Sequence, residues 1–320
     1  MSNKIKVSVL CLVYNHEPYL RQCLDGFVNQ KCDFDYEVLI HDDASTDKSA
    51  EIIREYEEKY PNIIKPIYQT ENQYSKGVKI SSIFQYPRAK GEYLAWCEGD
   101  DYWTDENKLQ KQVDFLDAHP EYIACVHRYD TINKIGEKTD IRCFGQYEQK
   151  GVYTLDDFQH YDLPSQIATL VARNILTDNM KYTQAFNNVN ATGDVKLFLF
   201  LLLNGNIWRM DEVFSVYRIV SEQNSDSWTS SLLKKKSVYH KQWKGIRQLE
   251  KAVKKEFGIH FKCDKRKQQL AYFDILIRKK NPFRIIFKCI YYTFKQRGML
   301  AVLAGKLLKG QRGAILTNKE

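Results

Sequence analysis

Tyr93-Leu94-Ala95-Trp96-Cys97-Glu98-Gly99-Asp100-Asp101-Tyr102-Trp103 is the stretch that decides the fold. Its first half is a short apolar run of the kind that forms a buried strand. Its second half carries three carboxylates and a glycine, then two aromatics. In open α/β sheets, ligands bind beyond the carboxyl ends of the strands. Carboxylates crowded there repel one another and favour a cation between them. Oxygen ligands of this kind suit Mg²⁺ or Mn²⁺, and such an ion commonly serves a diphosphate. Taken alone, the stretch reads equally as a solvated acidic turn after a core strand, so its surroundings must decide.

Upstream, Val7 to Tyr14 is almost wholly apolar, as strands buried on both faces are. Asn15-His16-Glu17-Pro18 breaks it, and Tyr19 to Val28 has helical spacing. Tyr36 to Ile40 is a second strand ending in His41-Asp42-Asp43. A helix follows from about Lys48 to Tyr60, with Ser45 or Thr46 as its expected cap and Asp47 suited to its dipole. Ile63 to Tyr68 is a third strand, and Gly77 to Tyr86 a helix. This β-α-β-α-β order predicts a parallel sheet with helices on its faces. The ends Val13-Tyr14-Asn15 with Glu17, Asp42-Asp43, and Glu98-Gly99-Asp100-Asp101 then share one edge. Such an edge could hold a base and ribose at the first two and a metal-bound diphosphate at the third.

Downstream, Leu109 to Leu116 reads as an amphipathic helix and Ile123 to Val126 as a strand. Residues 133–150 are polar and irregular. Ile167 to Ala172 reads as a strand, and Asp194 opens the apolar helix Val195 to Leu203. Ile207 to Met210 and Phe214 to Val220 look like two short strands. After about Trp228 the chain turns basic and helical. Phe283 to Phe294 sets Arg284 and Lys288 opposite apolar residues, a pattern suited to an anionic membrane surface or to packing on the domain.

The 320 residues suit one large domain or a domain with an extension. The net charge of +8 suits nucleic acid, anionic membrane or phosphorylated ligands. No RNP-like or zinc-finger pattern is present, so nucleic acid is set aside. Eight single cysteines without a CxxC pair predict free thiols. The longest uncharged apolar runs fall short of the ~20 residues that cross a bilayer. No signal peptide precedes the first strand, which predicts a cytoplasmic protein, peripheral on the inner membrane face if the basic region binds there.

On these motifs the chain resembles the family 2 glycosyltransferases. Val7-Ser8-Val9 to Tyr14-Asn15 matches their opening strand, and Asp42-Asp43-Ala44-Ser45-Thr46-Asp47 their second-strand signature. Glu98 to Trp103 with Lys108-Leu109-Gln110-Lys111-Gln112 matches their metal-binding segment. Gly193-Asp194 and Asp211-Glu212-Val213 to Val216-Tyr217-Arg218 match the acceptor half. The resemblance covers about residues 5 to 220. It implies an α/β, GT-A nucleotide-diphospho-sugar transferase fold: a Rossmann-like, mostly parallel sheet flanked by helices over residues 1–228, with a basic helical extension over 229–320.

It also implies roles. Asp43 contacts the nucleotide base, with Val13, Tyr14, Asn15 and Glu17 nearby. Asp101 holds Mn²⁺ or Mg²⁺, Asp100 meets the ribose or the metal, Lys79 helps hold the diphosphate, and Asp194 is the general base. The implied reaction is metal-dependent, inverting transfer from a nucleotide sugar, most often a UDP-sugar, to a glycan or lipid-linked acceptor of surface polysaccharide. Two departures stand out: Tyr217-Arg218-Ile219 is followed by Val220-Ser221 with no histidine, and Val195 stands where tryptophan is usual. Nucleotidyl transfer is a poor alternative, because Tyr14-Asn15-His16-Glu17 is no Gly-rich phosphate loop. A sugar-nucleotide-binding protein without turnover is the alternative outside catalysis.

Overall fold

The computed structural model describes residues 4–139, 151–159, 163–178, 180–220 and 236–263. The expected amphipathic helix over Phe283–Phe294 lies outside them. In chain order the elements are β1 (Val7–Val13), α1 (Glu17–Val28), β2 (Tyr36–Asp42), α2 (Ser49–Lys59), β3 (Ile67–Tyr68), β4 (Tyr93–Trp96), β5 (Tyr102–Trp103) and α3 (Lys108–Ala118). Then come β6 (Tyr122–Asn133), β7 (Gly151–Tyr153), α4 (Leu155–Phe158), β8 (Val171–Arg173), α5 (Met180–Phe186), α6 (Gly193–Leu202), β9 (Asn206–Ile219) and α7 (Lys236–Phe257).

The strands form one sheet in the order β3-β2-β1-β4-β8-β6-β9-β5, with β7 on β9. The expected parallel half is present: β1 runs parallel to both β2 and β4, and β2 to β3. The carboxyl ends of β1, β2 and β4 therefore share one edge. The other half is mixed rather than parallel. β8 is antiparallel to both β4 and β6, and β5 and β7 are antiparallel to β9. Only β6 and β9 pair in parallel there.

Strict alternation divides each central strand between two cores. Val7, Val9, Cys11 and Val13 of β1, with Tyr93 and Ala95 of β4, face α1, α2 and α3. Leu10, Leu94 and Trp96 face the opposite core, which also holds Phe186, Phe198 and Phe200. Ile246, Leu249 and Val253 of α7 are fully buried in that same second core. Each such side chain contributes roughly 1.5–3 kcal/mol on burial.

Several local expectations are corrected. Neither Ser45 nor Thr46 caps α2; Asp47 Oδ1 accepts from the Ser49 N–H instead. The segment Gly77 to Tyr86 is not one helix: a π-helical turn at Ser81–Gln85 runs into a 3-10 turn at Tyr86–Arg88. Ile63 to Tyr68 is a strand only at its end, with an isolated bridge from Ile64 to Val38. The run Ile167 to Ala172 is split into a 3-10 turn at Ile167–Thr169 and β8. The two short strands expected after Ile207 are one continuous β9. Its register on β6 jumps between Arg209 and Val213, so the polar Asp211-Glu212 pair lies in a bulge and not at a strand end. The cysteines at 11, 23, 32, 97, 125 and 263 are free.

Lys108 is fully buried at the start of α3. Its Nζ donates to Gln112 Oε1 at 2.7 Å and lies 4.2 Å from the Trp103 ring centroid. Burial pulls the ammonium down to about 7. Between pH 7 and 10.5 the unfolded chain then holds a proton that the native chain lacks, so this group makes stability rise with pH in that window. Lys108→Met is expected to be more stable than the parent at pH 7, on the order of a few kcal/mol. The gap should shrink toward pH 10, read by urea unfolding of both proteins across that range.

Candidate active site

The three strand ends are tied into one floor by backbone-directed hydrogen bonds. Asp43 N–H donates to the Val13 carbonyl at 2.9 Å, and Gly99 N–H to the Leu12 carbonyl at 3.0 Å. The loops after β1 and β2 are laced together. Asn15 N–H donates to Ser45 Oγ at 3.0 Å, and Asn15 Oδ1 accepts from the Thr46 N–H at 2.8 Å. His16 N–H donates to Ser49 Oγ at 2.9 Å. Asp47 Oδ2 accepts from the Glu17 N–H, while Glu17 Oε2 accepts from the Lys48 N–H. Each carboxylate thus caps the other's helix. Asn15 (φ 55°) and Ala44 (φ 61°) take up left-handed backbone to make these turns.

This network places the first group of expected donor residues. Tyr14 is exposed at the rim, and Asn15 spends its carboxamide oxygen on the Thr46 turn. Val13 is buried, so its side chain belongs to the core and only its carbonyl reaches the edge. Glu17 serves the helix caps. Asp43 is almost enclosed, and its carboxylate accepts from the Gln73 N–H at 2.7 Å and the Tyr74 N–H at 3.0 Å. The neighbouring loop 71–77 thereby fixes the carboxylate, and a Glu71–Lys76 ion pair closes that loop. His41 lies beneath, with Nε2 3.6 Å from Asp43 Oδ1, and burial lowers its affinity for a proton.

The acidic loop after β4 separates its three carboxylates by environment. Asp101 is 1% exposed; Oδ1 accepts from the Arg218 N–H at 2.9 Å and Oδ2 from Gln166 Nε2 at 2.7 Å. Burial, and then the charge of Asp100, push its carboxyl well above the usual range. Arg218 also donates from Nε to the Asp100 carbonyl at 3.1 Å and from Nη2 to Gln22 Oε1 at 3.1 Å, with its guanidinium over Tyr19. Asp100 is half-buried, and among the described residues none engages its carboxylate oxygens in a hydrogen bond. Glu98 is reached by solvent but closely surrounded by protein. That desolvation, followed by the charges of Asp100 and Asp194, raises its carboxyl. Gly99 packs so tightly that a Cβ would stand 2.7 Å from His16 Nδ1 and 3.0 Å from Val13 Cγ2. A side chain there would separate the acidic loop from the loop after β1.

Asp194 sits in the first turn of α6, half-buried, with Oδ1 accepting from the Val195 N–H at 2.8 Å. Its charge reaches Glu98 and Lys196. Asp194 thus lies within electrostatic reach of the acidic loop, and Lys79 within reach of Lys196. Of the expected residues, the fold sets Tyr14, Asn15 and Asp43 at the β1–β2 ends and Asp100 in the loop after β4, while Asp194 is linked to that loop, and Lys79 to Lys196, through charge. Sequence reading gave no role to Gln166, Lys196 or Arg218. Gln166 carries no local signal, because only the turn before β8 aims it at Asp101. Lys196 did carry one, as a lysine inside an otherwise apolar helix.

Among the described residues, no three His, Cys, Asp or Glu side chains converge into a metal cage. No described helix is long and apolar enough to cross a membrane.

The sequence model of the family described as Glycosyl transferase family 2 matches residues 8–175, more than half of the chain. An uncharacterized protein of Mycobacterium tuberculosis is 47% identical over 132 residues, 41% of this chain and 37% of its own. The chain thus spans little more than a third of that relative. A putative teichuronic acid biosynthesis glycosyltransferase of Bacillus subtilis, TuaG, is 26% identical over 234 residues, covering 70% of this chain and 84% of its own. Among solved structures, TarS of S. aureus in complex with UDP-GlcNAc superposes with a TM-score of 0.55 at 17% identity, over 96% of this chain and 93% of that one. The shared architecture is the GT-A fold.

Proposed function

This chain belongs to glycosyl transferase family 2, and on that premise we propose that it moves a sugar from a nucleotide-diphospho-sugar to a hydroxyl of a glycan or lipid-linked acceptor. The observation that supports the reading is the shared edge of the parallel strands, where Asp43 follows β2 and Glu98 and Asp100 follow β4, with the charge of Asp194 reaching Glu98. The name of TuaG supports a surface polysaccharide as the product. The family resemblance supports a UDP-sugar donor.

In this reading Asp43, held rigid by Gln73 and Tyr74, receives the base, with Tyr14 at the rim. Asp100, rather than Asp101, the expected ligand, would hold the metal. Asp101 has both oxygens occupied by Gln166 and Arg218, whereas Asp100 keeps its carboxylate open. A site of one or two carboxylates plus diphosphate oxygens suits Mg²⁺ or Mn²⁺. When bound, the ion supplies Lewis-acid neutralisation of the leaving diphosphate. Asp194 takes the proton of the acceptor hydroxyl as it attacks the anomeric carbon from the face opposite the diphosphate, and a single displacement inverts that carbon.

Release of nucleotide from a panel of nucleotide sugars, with Mn²⁺ or Mg²⁺ and with EDTA, tests the proposal. Metal-dependent release from one donor is the expected result. Tight donor binding without release, candidate acceptors included, would overturn it in favour of a binding protein. The basic stretch from Lys234 to Lys309 supports peripheral attachment at the inner face of the membrane, where lipid-linked acceptors sit. Removing residues 281–320 is expected to release the protein from anionic vesicles in a flotation assay. Unchanged flotation would end that part of the proposal.

A further inference from the structure

Asn187 to Thr192 join the end of α5 to the first turn of α6, where Asp194 stands. Local turns hold the two ends of this loop: Asn187 N–H donates to the Thr183 carbonyl at 3.1 Å, and Lys196 N–H to the Thr192 carbonyl at 3.2 Å. Its middle is held from outside, by α7. Asn190 N–H donates to Gln248 Oε1 at 2.8 Å. Gly245 approaches the same residue so closely that a Cβ there would overlap the Asn190 carbonyl oxygen and stand 2.9 Å from its carbonyl carbon. Gly245 and Gln248 are three residues apart on the helix, so one face of α7 meets both the N–H and the carbonyl of residue 190.

The rest of α7 is anchored independently of this grip. Ile246, Leu249 and Val253 are fully buried in the second core. Phe257 stacks on Phe186 at the end of α5, with ring centroids 6.3 Å apart, and meets Phe200 of α6 edge-on at 6.1 Å. Apolar packing thus fixes α7 against the two helices that the loop joins. The polar grip adds something different. A glycine inside a helix costs stability, and the close approach of the Asn190 backbone is the reason for one at 245. Asn190 is exposed, so water can replace Gln248 on its N–H at little cost. The contact therefore decides where the loop lies more than whether the domain folds.

We propose that α7 positions Asp194: Gly245 and Gln248 fix Asn190, and Asn190, four residues before Asp194, fixes the point from which α6 presents that carboxylate to the attacking hydroxyl. The inference rests on Asp194 acting as the base. Gly245 and Gln248 act through the loop, as positioning residues, and touch no substrate. A displacement of about 1 Å at a reacting group can cost roughly 10²-fold in rate. A side chain at 245 that pushes Asn190 away would therefore slow transfer from a distance.

A double-mutant cycle on the full chain tests this. The probe is nucleotide release at saturating donor with Mn²⁺, from the nucleotide sugar that the donor panel selects, with water as the attacking group. Affinity for the free nucleotide of that donor, by calorimetry, and the thermal midpoint are read beside it. Gly245→Ala pushes on Asn190; Gln248→Ala frees it and keeps the test open should the first variant unfold. In the parent background Gly245→Ala is expected to slow release about 10- to 100-fold and Gln248→Ala about 3- to 10-fold, with nucleotide affinity unchanged. In the Asp194→Asn background each should cost less than about 2-fold, because residues that act through one group are not additive. A merely structural role would lower the midpoint and slow release by the same factor in both backgrounds. That result overturns the inference while the family reading stands, as does a folded Gln248→Ala that works at the parent rate. If Asp194→Asn itself releases nucleotide at the parent rate, or the parent turns over no donor, the reading of Asp194 and this inference fall together.

Discussion

Asp194→Asn is expected to lower sugar transfer roughly 10²- to 10⁴-fold while leaving donor affinity unchanged. The reason lies in what the substitution keeps. Asparagine presents the same side-chain oxygen to the Val195 N–H, so the first turn of α6 holds its place. What is lost is the ability to accept a proton from the attacking hydroxyl. Removing that charge also relieves Glu98, which Asp194 helps to hold above the usual carboxylate range. Glu98 should therefore ionise at lower pH in the variant, which NMR titration of a side-chain-labelled sample would detect. Transfer rates measured at saturating donor separate the two roles open to Asp194. A fall in rate at constant donor affinity marks a base, whereas unchanged transfer would leave Asp194 a helix-entry residue.

The second large effect is a crossed pair. Asp101→Ala is expected to destabilise the fold by roughly 2–5 kcal/mol, because it strands two buried donors, the Arg218 N–H and Gln166 Nε2. The thermal midpoint should fall by about 5–15 °C. Asp100→Ala should behave in the opposite way. Its carboxylate leaves no hydrogen-bond donor behind, and its removal takes a repelling charge away from Asp101 and Glu98. The fold should be as stable as the parent or slightly more so, while Mn²⁺ binding, followed by electron paramagnetic resonance, should be lost. Differential scanning calorimetry and metal titration on both variants read the cross directly. If Asp101→Ala kept its midpoint and lost the metal, the ion would belong on Asp101 after all, and the Gln166 and Arg218 contacts would be incidental.

These predictions divide along the line between local and tertiary information. The sequence by itself determined the parallel half of the sheet, because strands buried on both faces leave a continuous apolar signature and the helices between them carry a 3.6-residue period. It also placed Asp43 and Asp100 just past strand ends and Asp194 at the head of an apolar helix, since a change from apolar to charged residues marks where an element ends or begins. Only the tertiary structure decided which carboxylates are free. Asp100 and Asp101 are adjacent and chemically identical in the sequence. They differ because Gln166 and Arg218, 65 and 117 residues away from Asp101, close on one and not the other. The mixed half of the sheet was hidden for the same reason. Pairing direction is set by partners distant in the chain, and the Asp211-Glu212 bulge resembles a strand end until its neighbour β6 is known.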